Sequence, residues 1–240
     1  MPIDATTMHV RNPLLLDGRH ALRWKFVLFF GSVAYCLATS IHGQESEKED
    51  SEYIRVVNER AQKIVSRLGL KDSDQERRVR DLVAIFYRDL HATHANRDAK
   101  LKATSGSVGS IRSAEQIPVA QIRAAAEAEQ FRHHYALIGK LGTELNGDQI
   151  DKVKDGLTYE VAPKTYQQYL KLHPALTAEQ QRTILAMLLE AREHAMDGGS
   201  SEEKHAIFGK YKGRINNYLS AEGFDAKKAE RELKERQSKQ

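Results

Sequence analysis

The amino-acid sequence predicts an all-α protein, a single-domain irregular bundle of about six to seven helices behind a cleaved signal peptide. Three observations predict it. Apolar residues recur at spacings of three and four along almost all of the chain after Ser51. Paired helix-start residues, a cap followed three positions later by Gln or Glu, stand at Asp72/Gln75, Asn146/Gln149, Thr177/Gln180 and Ser200/Glu203. The alternation expected of a strand is confined to LTYEV, 157–161.

The first segment does not belong to the bundle. Arg19, Arg23 and Lys25 precede the apolar run FVLFFGSVAYCLATSI (26–41), and the acidic GQESEKEDSE follows at once. That order reads as a secretory signal peptide over 1–43. The cut falls between Gly43 and Gln44, or alternatively after Ser40, and Met8 is an alternative start. The run is short for a membrane span and no stop-transfer cations follow it. A lipid anchor on Cys36 is disfavoured, because Tyr35 is too large for the position before a lipidated cysteine.

Without that segment's four cations and two acids, the chain's 37 and 33 leave a net charge of +2. The overall basicity therefore argues for no nucleic-acid partner. Trp24 and Cys36, the only residues of their types, go with it, so the exported chain has no disulfide or thiolate chemistry. The expectation is an exported protein, periplasmic or at the cell surface, with no membrane span in its mature form.

The elements follow in order. A charged linker at 44–52 leads to a helical domain at 53–224. Its first helix carries Ile54, Val57, Ala61, Ile64 and Leu68 and stops at Gly69. The second carries Val79, Leu82, Val83, Phe86 and Leu90, and runs to about Ala103. TSGSVGS breaks the pattern. The third carries Ala124, Ala128, Phe131, Tyr135 and Ile138 on one side. Two short helices cover 150–157 and 166–172, and longer ones start near Thr177 and Ser200. Residues 225–240 read as a charged C-terminal tail.

Several residue sets carry possible chemistry. His91, His94 and Asp98 could share a metal, but no HExxH or carboxylate-rich partner accompanies them, so no metal site and no cofactor is assigned. His133 and His134, being adjacent, point different ways on a helix. Glu190, Glu193 and Asp197 lie at helical spacing among Arg192 and His194, the pattern of a solvated face. Tyr211, Arg214 and His205 include the residue types of uronate elimination, but types alone assign nothing, and no catalytic residue is named. Leu176–Gln180 (LTAEQ) and Leu145–Gln149 (LNGDQ) are similar to the LTxxQ motif of periplasmic helical chaperones, and a stapled capping box reads the same way.

The stretch GKYKGRINNYLSAEGF, 209–224, sets two lysines, an arginine and two adjacent asparagines on one helix. Phe208, Tyr211, Ile215, Tyr218 and Leu219 form its buried stripe. Gly209 and Gly213 would admit a ligand or another helix close to the backbone. Lys212, Arg214, Asn216 and Asn217 are left as candidate carbohydrate-binding residues, since paired asparagines cost helix propensity. Asn217 would equally serve as a cap. Tyr159, Lys164, Tyr166 and Tyr169, beside Gln168, are the second half of that surface: rings for stacking and a cation for an acidic sugar. Packing of a short amphipathic helix competes with that reading.

The runs VKDGLTYEVAPKTYQQYLKLHPALTAEQ, AREHAMD and KHAIFGKYKGRINNYLSAEGF resemble an uncharacterised family of exported bacterial proteins, domain of unknown function 3826. The resemblance covers about Tyr53 to Phe224 and is most specific at KYKGRINNYLS. It implies a Bacteroidetes origin and a setting beside enzymes that degrade plant polysaccharides such as pectin, with a sugar-binding role. The resulting expectation is a non-catalytic protein that binds a plant-derived oligosaccharide or a glycan-degrading partner. An LTxxQ-like chaperone and a small glycan-active enzyme are the alternatives.

Overall fold

The structure is a computed structural model that describes residues 51–105 and 112–239, so the expected signal peptide and most of the linker lie outside it. Among the described residues there are eight helices: α1 (51–65), α2 (Ser73–Ser105), α3 (Arg112–Leu141), α4 (Gly147–Leu157), α5 (Val161–Leu172), α6 (Ala178–Met196), α7 (Ser201–Ala221) and α8 (Ala226–Ser238). None is long and apolar enough to cross a membrane.

Two apolar clusters organise them. Val57, Ala61 and Val65 of α1 pack with Val79, Val83 and Phe86 of α2, Leu137 and Leu141 of α3, and Val153 and Leu157 of α4. Tyr169 of α5, Ile184 and Leu188 of α6, and Phe208, Tyr211 and Ile215 of α7 form the second. α6 joins the two by packing on α4 as well as on α5 and α7.

Local chemistry sets the ends. Asn146 and Thr177 each accept from the backbone N–H three residues on, and Gln149 and Gln180 reciprocate, so both LTxxQ-like runs are capping boxes. Ser200 caps α7, but Glu203 reaches past it to Gly199 N–H at 2.7 Å. Asp72 caps α2 through Asp74 N–H, while Gln75 turns away to the Glu144 carbonyl. Gly69 and Gly223 take the positive φ that stops α1 and α7.

Three expectations are corrected. LTYEV is not a strand: Leu157 ends α4 and Val161 starts α5. The charged tail is helical, capped by Asp225, with Ala229 buried and Arg236 donating to the Lys171 carbonyl of α5. On α3 the buried face is Ala126, His134, Leu137 and Leu141, whereas Phe131 is 52% and Tyr135 70% exposed. All of the expected stripe but Ile138, which packs against the first core, faces outward, because the polar His134 is drawn inward by Glu193 of α6 and by Asp197, its C-cap.

Candidate functional site

A groove lies between α1, α4 and α5. It comprises two adjoining hollows of about 560 and 410 Å³ that share Ile64, Arg67, Gly156, Glu160 and Lys164. Six cations line it: Arg60 and Lys63 of α1, Arg67 of the turn after it, Lys152 of α4, and Lys164 and Lys171 of α5. Its two acids are already engaged. Asp155 accepts from Arg192 at 3.0 Å, and Glu160 is held by Lys164 at 2.9 Å and by Arg67. The hydrogen bond from Lys164 keeps the Glu160 carboxyl below its ordinary range, against a small burial effect and with help from Arg67. Arg60, Lys63, Lys152 and Lys171 have no carboxylate partner among the described residues. An uncompensated positive field in a concave site concentrates anions.

The close approach of α4 to α1 forms the floor of this groove. A Cβ at Gly156 would lie 2.9 Å from both γ-carbons of Ile64. Beyond Gly156 the chain turns by a Schellman motif, with Glu160 N–H bonding to the Asp155 carbonyl (2.7 Å) and Tyr159 N–H to the Gly156 carbonyl (3.3 Å). The residue after the cap in such a motif is usually glycine, yet here it is Tyr159, at φ 59°, followed by Glu160 at φ 58°. Each non-glycine residue in that region costs about 1–2 kcal/mol. The strain sets the Tyr159 ring at the rim of the groove, 41% exposed and stacked on His205 at 5.6 Å. Tyr87 lines the same hollow, and burial raises its phenol well above the ordinary value, so it remains a neutral hydroxyl.

The eight residues expected to bind sugar do not form one surface. Tyr159 and Lys164 belong to the groove. Tyr166 is half-buried and Tyr169 buried in the second core. Tyr169 donates to Asn216 Oδ1 at 2.8 Å, which ties α5 to α7 internally. Arg214 lies over the Tyr211 ring at 4.7 Å and meets Glu190 at 3.5 Å. Lys212 and Asn217 are exposed on α7. His205 and Asn216 are about 16 Å apart along the helix, at 1.5 Å per residue, so the asparagines are remote from Tyr159. Gly209 and Gly213 face open space.

Sequence reasoning missed Arg60, Lys63, Arg67, Lys152 and Lys171. The signal was present: Arg60, Lys63 and Arg67 recur at three and four along α1 and into the turn that follows it.

A second cleft, about 530 Å³, lies among α2, α3, α6 and α7. Behind it runs an ion network. His134 meets Asp197 at 3.0 Å and Glu193 at 3.4 Å, Lys154 donates to Glu193 at 2.9 Å, and Arg192 reaches Asp151, Asp155 and Glu193. The expected solvated face of Glu193 and Asp197 is thus a partly buried network, because α4 packs on that side of α6 and His134 reaches in from α3. Hydrogen bonds that His134 donates to Asp197 and then to Glu193 lift it to about 9, against its burial. Burial pushes Glu193 up, but His134 and Lys154 outweigh it and hold the carboxyl at about 2. His94 bonds to the Asp197 carbonyl at 2.9 Å while His91 stacks on Tyr53 at 4.3 Å, so these two histidines do not converge. Among the described residues no three His, Cys, Asp or Glu side chains are arranged so that they could hold a metal ion. The walls of this cleft balance Arg97, Arg123 and Lys210 against Glu127, Asp197 and Glu203, so it has no charge preference comparable to the groove.

Residues 54–239 match a family model described as protein of unknown function (DUF3826). The chain belongs to that family. No curated protein matches it. The DUF3826 match spans all eight helices but for the first residues of α1, so the groove and α8 both fall within the family's domain.

Proposed function

We propose that this DUF3826 protein is an exported, non-catalytic protein that binds an acidic carbohydrate, such as a pectic plant oligosaccharide, in the groove between α1, α4 and α5. One observation carries the reading: a groove with four cations that have no carboxylate partner among the described residues, two of them (Arg60 and Lys63) in the hollow where a strained backbone holds the Tyr159 ring at the rim and two (Lys152 and Lys171) in the adjoining one. Sugar sites combine a flat ring for stacking with hydrogen-bonding side chains, and a uronate adds a carboxylate for Lys or Arg. Gln167, Gln168 and the Tyr87 hydroxyl supply the neutral partners for sugar hydroxyls.

The alternatives have less support. Burial, and then the hydrogen bond to Glu190, raise the Tyr211 phenol, the opposite of what a catalytic base needs. Arg214 is occupied with Tyr211 and Glu190. The chaperone-like motifs are accounted for by capping.

The test is calorimetric titration of the chain from Gln44 onward with oligogalacturonate, a neutral oligosaccharide of equal length, and dextran sulfate. Oligogalacturonate should bind, and Lys63→Gln with Lys152→Gln should weaken it at least tenfold with the melting temperature unchanged. Binding of none of the three, or equal binding of both sugars, would refute the proposal. Stronger binding of dextran sulfate than of uronate would reduce the groove to a general polyanion site.

A further inference from the structure

We propose that α3 is a dimerisation helix, and that its outward face pairs antiparallel with the same face of a second copy of this chain. Ala124, Ala128, Phe131, Tyr135 and Ile138 recur at four, three, four and three, the spacing of a coiled-coil seam. Ala124, Ala128, Phe131 and Tyr135 of this seam are exposed and lie off the side that carries Ala126, Leu137 and Leu141 against α2, while Ile138 at its end is partly buried against the core. A helix that is apolar on a second side as well requires a partner there too. The fold supplies only the first, and leaves Phe131 and Tyr135, stacked at 6.4 Å, in solvent.

The seam complements itself. In an antiparallel pair with its two-fold axis between Glu129 and Gln130, Ala124 lies opposite the partner's Tyr135, and Ala128 opposite the partner's Phe131. Each ring therefore meets a methyl group and a closely approaching backbone. The flanking charges Arg123, Glu127, Glu129 and Arg132 balance, so two copies do not repel. At their exposures the two rings offer roughly 250 Å² per protomer, taking about 200 Å² for an aromatic side chain. With the two alanines and the flanking stems, the interface totals at most on the order of 1,000 Å², the low end for a specific complex. A micromolar dimer is the expectation.

Sedimentation velocity from about 1 to 200 µM brackets a micromolar equilibrium. It is run on the full chain and on the chain from Gln44 onward. Wild type should shift from monomer to dimer across this range. Phe131→Glu should remain monomeric with unchanged helicity and melting temperature, because its side chain packs on nothing the monomer needs. Ala128→Phe should also remain monomeric, since two rings would collide. The double variant Ala128→Phe with Phe131→Ala should dimerise again, because the swap restores a ring opposite a methyl. A wild type that stays monomeric, or a dimer that survives Phe131→Glu, would overturn the proposal. A monomer that instead suppresses aggregation of a denatured protein through Phe131 would make an unfolded client the occupant and equally overturn it.

Discussion

His134 of α3 and Asp197, the C-cap of α6, meet at 3.0 Å between Nδ1 and Oδ1, and this contact fastens two helices that share few others. Glu193 completes the clamp at 3.4 Å. Because His134 is lifted from 6.5 to about 9, its contribution is fully present below pH 6.5 and is lost as pH rises through 9. Glu193, lowered from 4.5 to about 2, contributes above pH 4.5 and loses that contribution as pH falls through 2. Both are therefore complete between about pH 4.5 and 6.5. In urea unfolding across pH, the difference between wild type and His134→Gln should shrink by an amount on the order of 3 kcal/mol on the alkaline side. His134→Gln should lack that share of the alkaline limb, and identical alkaline slopes in both proteins would show that the clamp contributes nothing.

Lys204 opposes that limb and fastens a different joint. Its Nζ, buried, donates to the Leu157 carbonyl at 3.2 Å and the Met196 carbonyl at 3.1 Å, the C-terminal ends of α4 and α6. Burial lowers it to about 8 although Asp197 pulls upward, so stability gains as pH rises from about 8 towards 10.5. Lys204→Met would remove a buried charge but orphan two buried carbonyls, each worth about 1–3 kcal/mol. The orphaned pair outweighs the relieved charge, and a net loss of about 2 kcal/mol at pH 7 is expected by urea denaturation. An equally stable Lys204→Met would mean that water replaces the ammonium there.

Gly156 tests whether the groove depends on close helix packing. Glycine to alanine near a helix end ordinarily stabilises by up to about 1 kcal/mol. Here the added Cβ meets both branches of Ile64, a buried β-branched side chain that is stiff at χ1. Overpacking costs about 1–3 kcal/mol, so the clash wins and Gly156→Ala should destabilise. Adding Ile64→Ala should recover part of the loss. If Gly156→Ala stabilises, α1 and α4 have room to spare and the groove is not fixed by their contact.

Periodicity and capping disclosed the helices well, because both are local. Ile64 and Leu68 before Gly69, or Asn146 with Gln149, carry their whole meaning within one or two turns. Periodicity cannot say which side of a helix meets the core when two sides are apolar. On α3 that choice depends on Asp197 and Glu193, sixty residues away, which make His134 an interior residue. The groove was only half legible for a related reason. Tyr159 and Lys164 were visible, but Arg60, Lys63 and Lys152 join them only once Gly156 brings α4 against α1. The Schellman turn was hidden because its usual glycine is replaced by Tyr159.

That replacement gives the sharpest prediction, since strain and recognition move in opposite directions at one residue. Tyr159→Gly relieves about 1–2 kcal/mol of left-handed strain. It also loses the half-exposed ring on His205, a contact worth about 0.5–1.5 kcal/mol. The fold should therefore be as stable as wild type or up to about 1 kcal/mol more stable, by thermal and urea denaturation. Affinity for an acidic oligosaccharide should nevertheless fall about tenfold, the equivalent of one lost stacking contact. Tyr159→Phe keeps both the ring and the strain, and should match wild type in both measurements. Tyr159→Ala keeps the strain and loses the ring, so it should be worse in both. If Tyr159→Gly is clearly destabilised, the ring is held there for packing on His205. Its exposure at the groove would then say nothing about a ligand.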